Sequence, residues 1–349
     1  MNQDEVLNLL KAELAPAVGC TEPVAVALTS AQAYKLATGQ LKRLKVEVSS
    51  NIYKNAKAVG IPGTDRTGTE FAAFLGTTIK EPRLNLSIFT GLSEMDFKEA
   101  AARQEAVPLE LVIKYDKPSV YIDVCVETSL GVSRAITLGT HANLVYLSLN
   151  GEVLFQKEDW ENGIKCANSP VFDDLLLETL IDKVLSIPST ALEFLQEGVD
   201  LNYDIAQKGQ TIGCGLSIGS KWRGAISKGL LKDDITSKLV YFTSAAADAR
   251  MAGMQLPVMS CTGSGNHGLV AFLPITIVAQ ELRCPREKML LALAVSVLVT
   301  IYIKTFTGRL TPVCGCGVAA GSGASAGLAY LLGGDTEVIC DAIQNTISS

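Results

Sequence analysis

The sequence is short of charge, of histidine and of aromatic residues. Charged residues make up 19% of the 349 positions and aromatics 6%, with two histidines and two tryptophans. Basic residues number 30 against 36 acidic ones, a net charge of -6 with no run of Lys and Arg. That argues against nucleic acid as a partner, because its phosphates call for a basic patch. No apolar run reaches the ~18 residues needed to cross a bilayer. The longest, 289–303, stands between Lys288 and Lys304 and reads as a buried core helix, so no membrane role is expected. The N-terminus, MNQDEVLNLLKAEL, opens as an acidic amphipathic helix rather than a basic segment followed by an apolar core. A signal peptide is therefore not expected, and the chain reads as cytoplasmic.

What the sequence has in quantity is apolar residues (48%), glycine (30) and cysteine (9). With a mean hydropathy of +0.27, much of the chain has to be buried. So little surface charge suggests that a second copy covers part of it, as in a homodimer. In a reducing compartment nine cysteines, odd in number and irregularly spaced, are expected as free thiols for packing, metal binding or catalysis.

The length suits two domains. Helical spacing runs over 3–15 and is stopped by Pro16, and a second helix is expected from Thr21, as N-cap, to Gly39. From Leu41 the pattern becomes alternation: LKRLKVEVS, LNLSIF, LELVIKY, VYIDVCVET, VSRAITLG and LVYLSLN read as strands. Helices near 67–75 and 94–104 lie between the early strands, and short turns such as Asn150-Gly151 indicate antiparallel hairpins. Beyond residue 159 helices are expected at 170–185, 189–207, 233–255, 268–281, 285–305 and 322–333, separated by glycine-rich loops. The expected fold is thus α+β: a lobe with a largely antiparallel sheet over 1–160, then a mostly helical domain over 161–349.

Four stretches carry candidate chemistry. Cys20 directly precedes a helix whose first turn holds Glu22, a position that lowers a thiol's pKa and suits a nucleophile or base, though also a buried structural turn. SNIYKNA, with Asn51, Lys54 and Asn55, reads as an amide-rich loop after a strand that could hold a small zwitterion. SCTGSGNHG offers bare backbone amides with Ser264, Asn266 and His267, either a cradle for a carboxylate or an ordinary turn. His141, the other histidine, lies among the strands with no partner in view. CGCGVAAGSGASAG places Cys314 and Cys316 one residue apart at the mouth of a small-residue helix, where two thiolates could face a metal. Lys304 and Arg309 just before it are the nearest cations for an anionic ligand, or else helix-end charges facing solvent.

Together, VGCTEPVAVAL, SNIYKNAKAVGIPG, GSGNHGL and TGRLTPVCGCGVAAGSGASAG resemble the L-cysteine desulfidases, a family related to the α-chain of bacterial iron–sulfur L-serine dehydratases. The resemblance covers essentially the whole chain, with its four motifs in order. It implies β-elimination from a small amino acid: cysteine to pyruvate, ammonia and sulfide, or serine to pyruvate and ammonia. It also implies a 4Fe-4S cluster acting as Lewis acid through an iron without a cysteine ligand. By the same resemblance Cys20 would be the base, with Glu22 and His267 in the catalytic set. Asn51, Lys54, Asn55, Ser264, Asn266 and Arg309 would hold substrate, and Cys316 or Cys314, preferably Cys316, would be the first cluster ligand. Family members continue beyond the region of residues 345–349 into a segment bearing two more cysteines. Here only Cys340 follows Cys316, so the cluster site of this chain is expected to be incomplete and empty. Two alternatives remain: an amino-acid-binding protein without activity, or a pyridoxal-phosphate dehydratase, whose SGNHG loop is similar but for which Lys221 and Lys228 stand in no suitable context.

Overall fold

A computed structural model describes residues 1–80, 82, 88–89, 92–158, 160, 172, 175–308, 310–311 and 313–349. The chain forms two compact units, Met1–Val18 with Pro170–Ser349, and Gly19–Ser169. The first residues thus group with the C-terminal half and not with a lobe 1–160. Helix α1 (Gln3–Ala12) opens on a capping box between Asn2 and Glu5 and buries Val6 and Leu10. The helical spacing continues to residue 15, but the chain turns after Ala12 into strand β1 (Leu14–Val18), with Pro16 inside it. A two-stranded ribbon tolerates proline because one edge of each strand makes no ladder bonds.

The unit Gly19–Ser169 is built on helix α2 (Thr21–Leu36), whose residues 21–31 are all buried. Its N-cap is Cys20, one residue earlier than the sequence suggests, and it ends at Leu36 before Gly39. Strand β2 (Leu41–Ser49) leads directly into helix α3 (Ser50–Ala56), where a loop is expected from the sequence. Ser49 makes that helix possible by accepting a hydrogen bond from the Ile52 N–H at 3.4 Å. Helices α4 (Gly68–Thr78) and α5 (Glu94–Ala106) follow, then strands β3 (Leu109–Lys114), β4 (Tyr121–Thr128), β5 (Gly131–Leu138), β6 (Leu144–Leu149) and β7 (Glu152–Gln156). The strand expected at LNLSIF falls mostly outside the described residues.

The sheet order is β3-β2-β4-β5-β6-β7, antiparallel throughout except for the parallel pair β2–β3, whose connection carries the three helices. The inward residues Leu44, Val46, Val48, Ile122, Val124 and Val126 are fully buried, and α2 packs on β4 and β5. On the other side of α2, α4 comes so close that a Cβ on Gly76 would stand 2.3 Å from the Ala27 carbonyl oxygen.

The second unit continues with α6 (Leu177–Leu185), a 3-10 turn (Ser189–Leu192), α7 (Leu195–Ile212), α8 (Ile218–Ser227) and α9 (Ile235–Met251). Strand β8 (Pro257–Cys261) pairs antiparallel with β1, Leu14 opposite Cys261 and Val18 opposite Pro257, which is why the N-terminus belongs to this unit. Then come α10 (Gly265–Glu281), α11 (Arg286–Thr307), a π-helical turn (Cys316–Gly321), α12 (Ser322–Leu331) and α13 (Thr336–Ser348). The segment expected at 189–207 is split between the 3-10 turn and α7. Helices α8 and α13 and strands β1, β7 and β8 go beyond the elements expected from the sequence. α11 is the core: Leu290, Leu293, Val297, Leu298 and Val299 have no exposed surface. The α+β class expected from the sequence is the class observed.

Candidate active site

Two constellations of the expected residues form, one in each unit. In Gly19–Ser169 the centre is Glu22, 5% exposed in the first turn of α2. A carboxylate there faces the positive end of the helix and its unbonded N–H groups. Its Oε2 accepts from the Cys20 thiol at 2.8 Å and the Thr21 hydroxyl at 3.2 Å. Its Oε1 accepts from Asn55 Nδ2 at 3.0 Å and stands 3.9 Å from His141 Nε2. Burial alone would push this carboxyl up, but an imidazolium at His141 and the hydrogen bonds from Cys20 and Asn55 hold it below the ordinary carboxylate value. Glu22 is therefore an ionised acceptor against a buried thiol.

Helix α3 sets the geometry of SNIYKNA. Residues three and four apart share a helix face, so Asn51, Lys54 and Asn55 stand together, Lys54 exposed and the two asparagines half-buried. Asn55 is the member that reaches Glu22. His141, left without a role by the sequence, belongs to this group. Its pairing joins residues far apart in the chain, and only the strand order brings them together.

In the other unit the turn between β8 and α10 carries Ser264 and Asn266 with His267. These residues are not an open loop, since α10 begins at Gly265 and places Asn266 and His267 in its first turn. Gly265 is explained by packing: a Cβ there would lie 2.3 Å from Arg250 Nε. Asn266 Oδ1 accepts from Arg250 Nη1 at 2.9 Å, so its amide orients a guanidinium. Ser264 is the N-cap of α10, half-buried and without a side-chain capping bond. The Thr262 hydroxyl donates to the Cys261 carbonyl at 2.7 Å. It also shares a hydrogen bond with His267 Nδ1 at 2.9 Å.

Nε2 of His267 points at the Cys-x-Cys segment. A Cβ on Gly315 would meet it at 2.4 Å and Lys304 Nζ at 3.4 Å. Lys304 is 6% exposed and Arg250 2%, so neither is a helix-end charge facing solvent. The Cys316 thiol is pushed well above the ordinary range by its hydrogen bond with Cys314, by burial and by the charge of Cys314, while Arg250 and Lys304 act in the opposite direction. Cys314 is exposed and Cys316 half-buried at the start of the π-helical turn, a rare backbone form that is frequent at functional sites. Arg250 is a residue the sequence reading missed. The one sign of it was a lone cation among the small residues of SAAADARMAG. Arg309 lies outside the described residues.

The donor chemistry here suits an iron–sulfur cluster, but the donor number does not. Among the described residues the site offers two thiols, and no group of three His, Cys, Asp or Glu side chains could hold a metal ion. A cluster with one open iron takes about three thiolates.

The family model described as the serine dehydratase alpha chain matches residues 84–349, and the chain belongs to that family. Among its relatives are UPF0597 proteins. The one from Clostridioides difficile (strain 630) is 39% identical over 98% of this chain and 81% of its own length. That from Alkaliphilus metalliredigens (strain QYMF) is 37% identical over 99% of this chain and 77% of its own. That from Clostridium tetani is 38% identical over the whole of this chain and 81% of its own. No solved structure matches the chain.

Proposed function

We propose that this chain is a lyase that eliminates the β-substituent of a small amino acid, converting L-cysteine and water to pyruvate, ammonia and sulfide, or L-serine to pyruvate and ammonia. The observation that carries this reading is the Cys20 thiol, buried at the N-cap of α2 and hydrogen-bonded to an ionised carboxylate. Elimination needs a base for the α-proton. Cys20 takes that role as the thiolate. Asn51, Lys54 and Asn55, on one face of α3, are the candidates for holding the substrate's carboxylate and amino group.

In the other unit Cys316, or else Cys314, is proposed as a thiolate ligand of a 4Fe-4S cluster. Arg250 and Lys304, which favour the thiolate at Cys316, would offset the cluster's negative charge. The protein is proposed to work in the cytoplasm as a homodimer, a state that sedimentation equilibrium tests directly.

The test of the activity is pyruvate and sulfide release from L-cysteine, with L-serine in parallel, by protein reconstituted anaerobically with iron and sulfide. Product is expected from at least one substrate and is expected to fall by at least about a hundredfold in Cys20→Ala, as for loss of a general base. Absence of pyruvate from both substrates, in protein that has taken up iron, would sink the assignment.

A further inference from the structure

The strand order brings His141 to Glu22, and the turn that carries it is built to keep it there. In the β5–β6 connection the Leu138 N–H donates to the Asn143 carbonyl at 3.1 Å and the Asn143 N–H to the Thr140 carbonyl at 3.1 Å. The Asn143 side chain also donates back to the Leu138 carbonyl at 2.7 Å. The His141 side chain is 11% exposed and Glu22 7%. At 3.9 Å the two are too far apart for a good hydrogen bond but close enough for a strong charge interaction, because neither is screened by water. The carboxylate is divided between its neighbours, with the thiol on one oxygen and the imidazole on the other.

We propose that His141 is a positioning residue that acts through Glu22 to set how readily Cys20 gives up its proton. The step is loss of the thiol proton. The S–H bond of Cys20 breaks, the proton goes to water, and the sulfur becomes a second anion beside the Glu22 carboxylate. With His141 protonated the trio goes from neutral to one negative charge. With His141 neutral it goes from one negative charge to two, and the thiolate has no compensating cation. Among the described residues, Glu22 meets Cys20 and Thr21 from its own turn, Asn55 from α3 and His141 from the β5–β6 turn, and of the last two only His141 can be charged. The charged pair Asp123–Arg134 on β4 and β5 does not compete. Asp123, itself buried, alternates with the core residues Ile122, Val124 and Val126 and so lies on the other face of the sheet.

The inference builds on Cys20 as the base, but its test does not need turnover. The rate of Cys20 alkylation by iodoacetamide is measured across pH, with the modified peptide quantified by mass spectrometry. His141→Gln is expected to move the midpoint of this profile up by about one unit, a tenfold fall in rate at a fixed pH below it. In a Glu22→Gln background the same substitution is expected to add nothing, as for residues acting through one another. An unmoved midpoint in His141→Gln, or an equal shift in both backgrounds, overturns the proposal. Since either variant could fold poorly, a second measurement uses the unaltered protein. The chain has two histidines, so their ring-proton NMR titrations separate readily. Alkylation of Cys20 is expected to displace one titration and leave the other in place, and two unmoved titrations count against the coupling. Failure of the lyase reading would show as absent pyruvate with the alkylation coupling intact.

Discussion

Glu22 owes its ionised state to three neighbours, and that makes its contribution to stability depend on pH in one direction only. Its folded value lies below the ordinary 4.5 despite burial, through His141, Cys20 and Asn55. A carboxyl depressed on folding adds stability that is complete above the unfolded value and is lost as pH falls through the folded one. Urea unfolding of the native protein is therefore expected to show an acid loss beginning near pH 4.5 that is smaller in Glu22→Gln, and parallel acid limbs would refute it. Gly315 is the matching residue in the other unit. Its φ of -63° is ordinary helical backbone, so alanine costs nothing in conformation there. The cost is steric, because the new methyl lands 2.4 Å from His267 Nε2 and the imidazole has to move. For Gly315→Ala we expect turnover to fall by about tenfold or more, with the thermal midpoint within about two degrees of the parent. Steady-state kinetics beside a melting curve decide it.

At the scale of elements, the contact of α2 with α4 holds Cys20 and Glu22 at the buried end of their helix. Both helices are apolar on almost every side, and Gly76 lets their backbones approach. In Gly76→Ala the methyl would meet the Ala27 carbonyl oxygen at 2.3 Å and Ser30 Cβ at 2.7 Å, neither of which is a flexible chain end. A loss of about 1–3 kcal/mol in unfolding free energy is expected, read as a lower urea midpoint at unchanged slope, and an unchanged midpoint would show that the helices can part. What the sequence made legible follows from the same physics. Alternation gave β2 to β6, and helical spacing gave α2, α5, α9 and α11, because each buries a face with its own period. The GCTEP motif showed Cys20 at a helix mouth because the cap signal is local. The seven residues of α3 were hidden, since SNIYKNA is polar and too short for a period to register. β1 was hidden because Pro16 stops a helix as readily as it enters an edge strand. The burial of Lys304 and the His141–Glu22 pairing are tertiary facts with no local signal, and that of Arg250 has only its small-residue surroundings to mark it.

At the scale of the whole molecule, the low charge and high apolar share raise the question of where so much hydrophobic surface goes. α11 is the sharpest case. The sequence offered an apolar run of 289–303 inside an expected helix 285–305, and the helix observed, Arg286–Thr307, is long and apolar enough to cross a membrane, with a mean hydropathy of 2.1 in its best window. Yet 72% of that window is buried inside the chain's own fold. α6, α7, α10 and α12 pack around it, and its one buried cation, Lys304, faces the cysteine segment instead of lipid. To enter a bilayer the helix would have to leave those partners and expose their apolar faces, each fully buried leucine or valine costing about 1.5–3 kcal/mol. Insertion would forfeit as much packing as it gained, since lipid tails are no more apolar than the core. The protein is therefore expected to stay at the bottom of a density gradient when mixed with phospholipid vesicles, at low salt and at high salt alike. Flotation at both salts would mean that α11 leaves the core, and flotation lost at high salt would point to a surface charge contact in place of insertion.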